Sequence, residues 1–223
     1  MSSTVEAAPR TLEVRRLGLV PYGEGLAIQD ELVQRRRAGE APDTLLLLEH
    51  THVITLGSGS HAEHVLVSPQ ERAERGIELF ETGRGGDVTY HGPGQLVGYP
   101  ILDLKPDRQD LHRYLRDLEE VLIGTLAEFG LRGGRKEGLT GVWVEDRKLA
   151  AIGVRVSSGW ITSHGFALNV STDLAFFGAI VPCGIREHGV GSISRELGRP
   201  VAMAEVEDAV VRQMERVFDA RAR

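Results

Sequence analysis

The chain is poor in cysteine and in lysine. Its 223 residues contain one cysteine, Cys183, which excludes an internal disulfide and fits a reducing compartment. Of the 26 basic residues only Lys105, Lys136 and Lys148 are lysines, and the others are arginines. Because arginine keeps its proton in proteins whereas a desolvated lysine can lose it, a lysine beside an apolar run is a candidate base.

Long apolar runs and sorting signals are missing as well. No segment reaches the roughly 18 to 20 apolar residues of a membrane helix, and the N-terminus lacks the basic and apolar regions of a signal peptide. A net charge of −6 gives no general footprint for nucleic acid. These absences, with a hydrophobic fraction of 41%, predict a cytoplasmic globular protein with no nucleic-acid or membrane partner.

Nucleotide-binding signatures are also absent. Residues 83–87 are rich in glycine, but the chain contains no GxxxxGK[ST] motif and no GxGxxG that follows a strand and opens a helix. An enzyme that makes an amide from a free acid must activate the acid, usually with ATP, whereas a thioester needs no such step. The sequence therefore shows no cradle for ATP phosphates, and we predict no nucleotide cofactor.

Four histidines, His50, His52, His61 and His64, suggest a metal site at first sight. His50 and His52 would share one face of a strand. However, no HExxH motif, CxxC motif or spaced carboxylate completes a ligand set. We therefore favour ordinary structural histidines and predict no metal.

Hydrophobic periodicity predicts an α+β, or mixed α/β, fold. Residues 1–9 are expected to form a disordered tail, and residues 10–223 a single domain. Three strands follow one another closely between Gly141 and Val170, which indicates an antiparallel meander. The longest predicted helix runs from about Gln109 to Phe129, with leucines at three- and four-residue steps and Gly130 as its C-cap.

The remaining elements are predicted from shorter patterns. The helix from Pro21 to Arg37 is expected to bury Leu26, Ile28, Leu32 and Val33. Thr89 to His91 is expected to form a turn together with residues 92–94. Other strands are predicted at 11–20, 44–48, 52–56, 77–81, 96–104 and 189–193, and other helices after Ser68 and at 201–220.

Cys183 and Lys148 are the candidate catalytic pair. Cys183 lies between Pro182 and Gly184 at a predicted turn, and Lys148 opens an apolar strand. A free thiol has a pKa of about 8.5, so a neighbouring amine is needed to favour the thiolate or to take its proton. The alternatives are a lysine that reaches out to water and a cysteine that serves as a small buried hydrophobic residue.

Four segments resemble the lipoyl(octanoyl) transferase family. They are RGGDVTYHGPGQL from Arg84 to Leu96, Lys148 with Ala151 to Gly153, HGFALNV from His164 to Val170, and Pro182 to Gly184. The first and third are highly specific, whereas a lone PCG would not be. In the family's order, together with shorter matches, they span most of the chain.

The resemblance implies a fold and an activity. The fold is that of the biotin/lipoyl protein ligase catalytic domain, a mixed, largely antiparallel sheet flanked by helices. The activity is transfer of an octanoyl group from octanoyl-acyl carrier protein, where phosphopantetheine holds it, to a lysine of a lipoyl domain. Such domains occur in 2-oxoacid dehydrogenase complexes and in glycine cleavage H protein, and the transfer is the first step of protein lipoylation.

The resemblance also implies residue roles. Cys183 would form the acyl-enzyme thioester and Lys148 would activate it. The substrate-binding positions would be Arg84, Gly85, Gly86, Asp87, Val88, Thr89, Tyr90, His91, Ala151, Ile152, Gly153, Gly165, Phe166 and Ala167. Family members vary at Asp87, so no argument depends on it. An eight-carbon chain needs an apolar tunnel, and Val88, Tyr90, Ile152 and Phe166 are its expected walls.

Two other functions stay open from the sequence. The first is an ATP-dependent lipoate or biotin protein ligase on the same scaffold, which would make an acyl-adenylate. The second is a protein without catalytic activity that binds lipoyl domains or the acyl carrier protein. The presence of both Cys183 and Lys148 argues against the second.

Overall fold

The computed structural model describes residues 10–181 and 189–223, so the predicted tail and Cys183 lie outside the described residues. The strands are β1 (Arg10–Val20), β2 (Asp43–His50), β3 (Val53–Leu56), β4 (Glu78–Glu81), β5 (Val88–His91), β6 (Gln95–Ile101), β7 (Gly134–Lys136), β8 (Leu139–Val144), β9 (Arg147–Val156), β10 (Thr162–Asn169), β11 (Gly189–Val190) and β12 (Ala220–Ala222). The α-helices are α1 (Tyr22–Ala38), α2 (Pro69–Glu74), α3 (Leu111–Glu128), α4 (Ile193–Leu197) and α5 (Met203–Phe218).

A large mixed sheet organises these elements. Its strand order is β12-β1-β2-β6-β10-β9-β8-β7, and β11 also pairs with β9. The pairs from β2 to β7 along this order are antiparallel, whereas β1 runs parallel to β2 and β12. The predicted meander is present as β8, β9 and β10. The prediction of a mixed, largely antiparallel sheet flanked by helices is confirmed.

A smaller sheet has the order β4-β3-β5. Its strand β5 corrects the prediction of a turn at Thr89 to His91, because Tyr90 pairs with Ile54 of β3. Threonine and tyrosine favour strands, and the turn begins only afterwards, where Gly94 takes a φ of 81°. The glycines therefore mark the end of β5 and not its interior.

The main core lies between the large sheet and the helices α3 and α5. Leu45 and Leu47 of β2 point into it, together with Leu118, Leu122 and Leu126 of α3. The four-residue spacing of these three leucines is part of the pattern that predicted this helix, and Gly130 follows its end with a φ of 77°. In the described part of the chain, 10–181 and 189–223, no helix has both the length and the apolar character needed to cross a membrane.

Helix α1 packs on the opposite face of the sheet, where Leu46 and Leu48 form a second core. Its buried residues are Tyr22, Gly25, Gln29 and Leu32. Of the other residues predicted on the buried side, Ile28 and Val33 are half-buried and pack against this core. Leu26 is also only half-buried, so its predicted burial is not complete. The helix lies so close to His50 that this position requires a glycine, since a Cβ atom at Gly25 would lie 2.8 Å from Cε1 of His50.

Candidate active site

A cavity of about 410 Å³ extends along β9 and β10. Thirteen of the fourteen predicted substrate-binding residues line it, and Lys148 lines it as well. The structure adds residues that the sequence did not single out as lining the site: Tyr22, Val97, Tyr99, Leu111, Leu115, Gly138, Leu139, Thr140, Val154 and His164. No local pattern marks most of these residues, because the packing of separate elements brings them together.

Small residues of two neighbouring strands form part of the cavity lining. Ala151 pairs directly with Ala167, and Gly153 pairs with Gly165. None of the four carries a side chain larger than a methyl group. The motif residues thus provide space beside the sheet, which an extended acyl chain needs.

The glycine-rich loop, residues 83–87, forms another wall. The Gly85 N–H donates to the Val154 carbonyl over 3.0 Å, so the loop pairs with β9. On its other side, the Gly59 N–H donates to the Gly86 carbonyl over 3.1 Å. A Cβ atom at Gly57 would lie 2.2 Å from the Gly86 carbonyl oxygen. The loop is therefore held from two sides, and the glycine at position 57 allows the close approach on the second side.

Arg84 places a buried positive charge beside the cavity. Its side chain is only 7% exposed, and its guanidinium donates to the Thr55 carbonyl over 2.7 Å and to the Thr55 hydroxyl over 2.9 Å. A third bond, 3.0 Å long, goes to the Gly85 carbonyl. The guanidinium thus orients the glycine-rich loop as well as contributing charge.

Three buried histidines lie in or behind the cavity wall in their neutral form: His91 and His164 line the cavity, and the His50 ring lies 5.9 Å from that of His91. Burial lowers the pKa of His50 to about 4 and that of His164 to about 4. The pKa of His91 is lowered to about 3, first by burial and then by the neighbouring His50. His50 Nδ1 donates to the Val20 carbonyl over 2.7 Å, so its Nε2 accepts the hydroxyl of Tyr99 over 2.7 Å.

Hydrogen bonds within the protein occupy ring nitrogens of two of these histidines. His50 and His91 are committed to hydrogen bonds within the protein, the latter to Gln95 over 2.7 Å. Between residues 10 and 181 and from 189 onward, no group of three histidine, aspartate or glutamate side chains is arranged to hold a metal ion.

Tyr90 is the predicted substrate-binding residue that does not line the cavity. Its ring is buried in a small core with Ile54 and Phe177, and its hydroxyl lies 2.7 Å from His52 Nδ1. Because side chains alternate along β5, Thr89 and His91 face the cavity while Tyr90 points into the small core. Its expected place in the tunnel wall is thus corrected.

Lys148 is half-buried at the start of β9, with its Nζ 5.3 Å from the centre of the Trp143 ring. Whether it meets Cys183 stays a prediction, because the cysteine lies outside the described residues. Described residues on either side of the segment 182–188 contact the site. Val190 pairs with Lys148. The Val181 N–H donates to the His64 carbonyl, and the His64 ring lies 2.5 Å from the cavity residue Asp87.

Comparison with known proteins gives consistent matches. A family model described as the lipoyl protein ligase A/B catalytic domain matches residues 21–215. The chain is 56% identical to the octanoyltransferase of Rubrobacter xylanophilus, over 93% of the chain and 94% of that relative. It is 48% identical to the octanoyltransferase of Chloroflexus aggregans, over 95% of the chain and 97% of that relative.

Solved structures confirm the fold. Lipoate-protein ligase A bound with ATP superposes with a TM-score of 0.79 at 21% identity, over 96% of this chain and 87% of the other. A biotin protein ligase from Aquifex aeolicus, in complex with biotin and ATP, gives a TM-score of 0.58 at 14% identity, over 93% and 70%. At these identities the likeness concerns the fold alone, and it matches the expected biotin/lipoyl ligase architecture.

Proposed function

The chain belongs to the lipoyl protein ligase A/B catalytic domain family and is an acyltransferase of its octanoyltransferase branch, and from this premise we propose a cysteine-mediated mechanism for it. The donor is octanoyl-acyl carrier protein, and the acceptor is a lysine of a lipoyl domain in 2-oxoacid dehydrogenase complexes or glycine cleavage H protein. The compartment that holds these partners is the cytoplasm. The single observation that carries the mechanism is that Lys148 and the small-residue strands line one cavity.

The first half of the reaction is a thioester exchange. The Cys183 sulfur attacks the octanoyl carbonyl carbon, a new carbon–sulfur bond forms, and the bond to the phosphopantetheine sulfur breaks. As a base, Lys148 takes the cysteine proton and then gives it to the leaving phosphopantetheine thiolate. As an ammonium, it stabilises the cysteine thiolate before attack and then protonates the same leaving group. The octanoyl group is then held on the enzyme.

The second half makes the amide. The lysine nitrogen of the lipoyl domain attacks the enzyme-bound carbonyl, the bond to Cys183 breaks, and the thiolate is restored. Lys148 accepts the proton that the attacking amine loses. Both steps pass through an oxyanion that needs N–H donors. Backbone N–H groups of the glycine-rich loop or of residues next to Cys183 are the proposed donors.

This mechanism needs neither a nucleotide nor a metal, because both steps start from a thioester. A ligase would instead activate a free acid with ATP. Identities of 48% and 56% to octanoyltransferases, against 21% to lipoate-protein ligase A, favour the transferase. The ligase is therefore the less supported alternative.

The decisive experiment mixes the purified protein with octanoyl-acyl carrier protein in the absence of ATP. Intact-protein mass spectrometry should show one octanoyl adduct, and peptide mapping should locate it on Cys183. The Cys183→Ala protein should show no adduct and no transfer to a lipoyl domain. Transfer at the normal rate by this variant would refute the nucleophile assignment, and a strict need for ATP would favour the ligase.

The variant Lys148→Arg separates charge from proton transfer in the same assay. Arginine keeps the positive charge but cannot serve as a base. We expect the rate to fall by about 10²- to 10⁴-fold, the usual contribution of a general base. Retained activity would mean that only the charge is needed.

A further inference from the structure

A β-bulge determines the direction of Lys148. One step along β8, from Val142 to Trp143, matches two steps along β9, from Ala150 to Lys148. Leu149 is the extra residue, and both Leu149 and Ala150 are buried in the main core. A regular strand would place Lys148 on the same face as Ala150, so the bulge turns it to the other face.

The face to which Lys148 turns is shaped by two residues of β8. Trp143 is its cross-strand partner, and the indole ring lies under the ammonium group at 5.3 Å. Gly141 leaves room for the aliphatic stem, since a Cβ atom there would lie 2.6 Å from Lys148 Cε and 3.3 Å from Nζ. The lysine thus lies in a slot that only a glycine leaves open.

Glu119 of α3 anchors this slot from the opposite side. Its side chain is 1% exposed, and one carboxylate oxygen accepts the Gly141 N–H over 3.2 Å. The other oxygen accepts from Arg116 over 2.6 Å and from Arg135 over 2.8 Å. Arg135 belongs to β7, so the carboxylate joins α3, β7 and β8 at one point.

A buried carboxylate is an expensive way to join these elements. Its removal from water costs several kcal/mol that its partners must repay, and apolar packing would often be as stable. A fixed hydrogen bond, however, sets the position of the Gly141 backbone, which apolar contacts do not do. The desolvation of Glu119 is therefore explained if the neighbouring lysine must be held in a fixed position.

We propose that Glu119 is a positioning residue for Lys148, which acts through the Gly141 amide and the bulge at Leu149. This proposal rests on the proposed role of Lys148 in octanoyl transfer. Loss of the anchor should let β8 shift toward or away from the lysine. A displacement of about 1 Å at a reacting group can lower a rate by about 10²-fold.

The test compares Glu119→Ala with Glu119→Gln, which keeps an oxygen for the Gly141 N–H. The alanine variant should transfer octanoyl groups about 10- to 100-fold more slowly, mainly through kcat, and glutamine should restore most of the rate. Amine labelling across a pH series, followed by peptide mass spectrometry, reports Lys148 directly. Its labelling midpoint should move in the alanine variant, while that of the surface residue Lys105 should not.

The control is Glu120→Ala, since Glu120 also pairs with Arg135, over 3.2 Å, but is exposed and lies outside the anchor. A folded Glu119→Ala protein with normal kcat and normal Lys148 labelling would overturn the proposal. Should that variant not fold, Glu119→Asp decides in the same assays, since the shorter side chain keeps the charge but withdraws the carboxylate from the Gly141 N–H. Labelling needs no octanoyl substrate, so a wild-type protein without transfer activity would refute the proposed function and leave this test intact.

Discussion

The two faces of the large sheet differ in chemistry. The face under α3 and α5 is aliphatic, and fully buried leucines such as Leu118 and Leu122 fill it. The other face holds the buried polar pair His50 and Tyr99 beside the cavity. Burial of apolar area stabilises the fold, whereas burial of polar groups stabilises it only when their hydrogen bonds are satisfied. The comparison indicates that the face under α3 and α5 supplies most of the apolar burial, whereas the other face supplies the buried polar groups of the site. The two meet at the cavity, because Val154 and Phe166 of the main core also line it.

The largest expected effect is a loss of stability from a substitution on the aliphatic face. Leu122→Ala removes a fully buried side chain of α3, so the free energy of unfolding should fall by about 2 to 5 kcal/mol. The rate of octanoyl transfer per folded molecule should stay unchanged, because Leu122 itself does not line the cavity. Urea unfolding and kinetics below the unfolding range measure the two quantities.

The matched control for this variant lies on the same helix. Leu111 is 42% exposed and lines the cavity. Leu111→Ala should hardly alter stability but should weaken substrate binding. If Leu122→Ala lowered the rate of octanoyl transfer by the folded protein as well as its stability, the packing of the main core and the activity would not be separable.

The fold was predictable wherever a local pattern determines the structure. The leucine spacing of α3 and the apolar run of β2 each need only neighbouring residues. The capping box at Ser68, with Pro69 in the first turn, was likewise recognisable and is present. The inward face of α1 was not predictable, because Gly25 is buried by close approach to His50, which lies on another element.

The residues of the site likewise divide into those that a local motif predicts and those that only the packing of distant elements brings together. The motif stretches identified most of the cavity lining, since the resemblance supplied them as contiguous segments. Tyr22 and Tyr99 were missed because the packing of α1 and the pairing of β6 bring them in from distant parts of the chain. The bulge at Leu149 was also invisible, since an extra residue on β9 shows only against the register of β8.

The polar face should make the protein sensitive to acid. The pKa of His50 is lowered to about 4, below its ordinary value near 6.5, so between these values the unfolded chain binds the proton more readily. Stability should therefore be unaffected above pH 6.5 and fall as the pH drops toward 4. One such group contributes about 3 kcal/mol over this range.

The variant His50→Asn removes this titration, so its stability should fall less steeply with acid than that of the wild type. Urea unfolding at pH 7, 6, 5 and 4.5 measures the slopes. His91 and His164 act with the same sign, so part of the slope should remain. His112→Asn, at an exposed position of α3, is the control for replacing a histidine with asparagine. Equal slopes for the His50 variant and the wild type would show that protonation of His50 does not contribute to the loss of stability in acid.

Two adjacent alanines of β9 allow the sharpest comparison, although the expected effect is the smallest. Ala151 lines the cavity, whereas Ala150 is buried in the main core. Ala151→Leu should occupy space that the acyl chain needs and so shift preference from octanoyl toward hexanoyl donors. The loss of two buried methylene groups is worth about 1.5 kcal/mol, or roughly tenfold in the ratio of kcat/KM values. Ala150→Leu should instead overpack the core and lower stability by about 1 to 3 kcal/mol. The two substitutions add the same side chain at adjacent positions. A change in chain-length preference with Ala150→Leu alone would show that the acyl chain lies against Ala150 and not against Ala151.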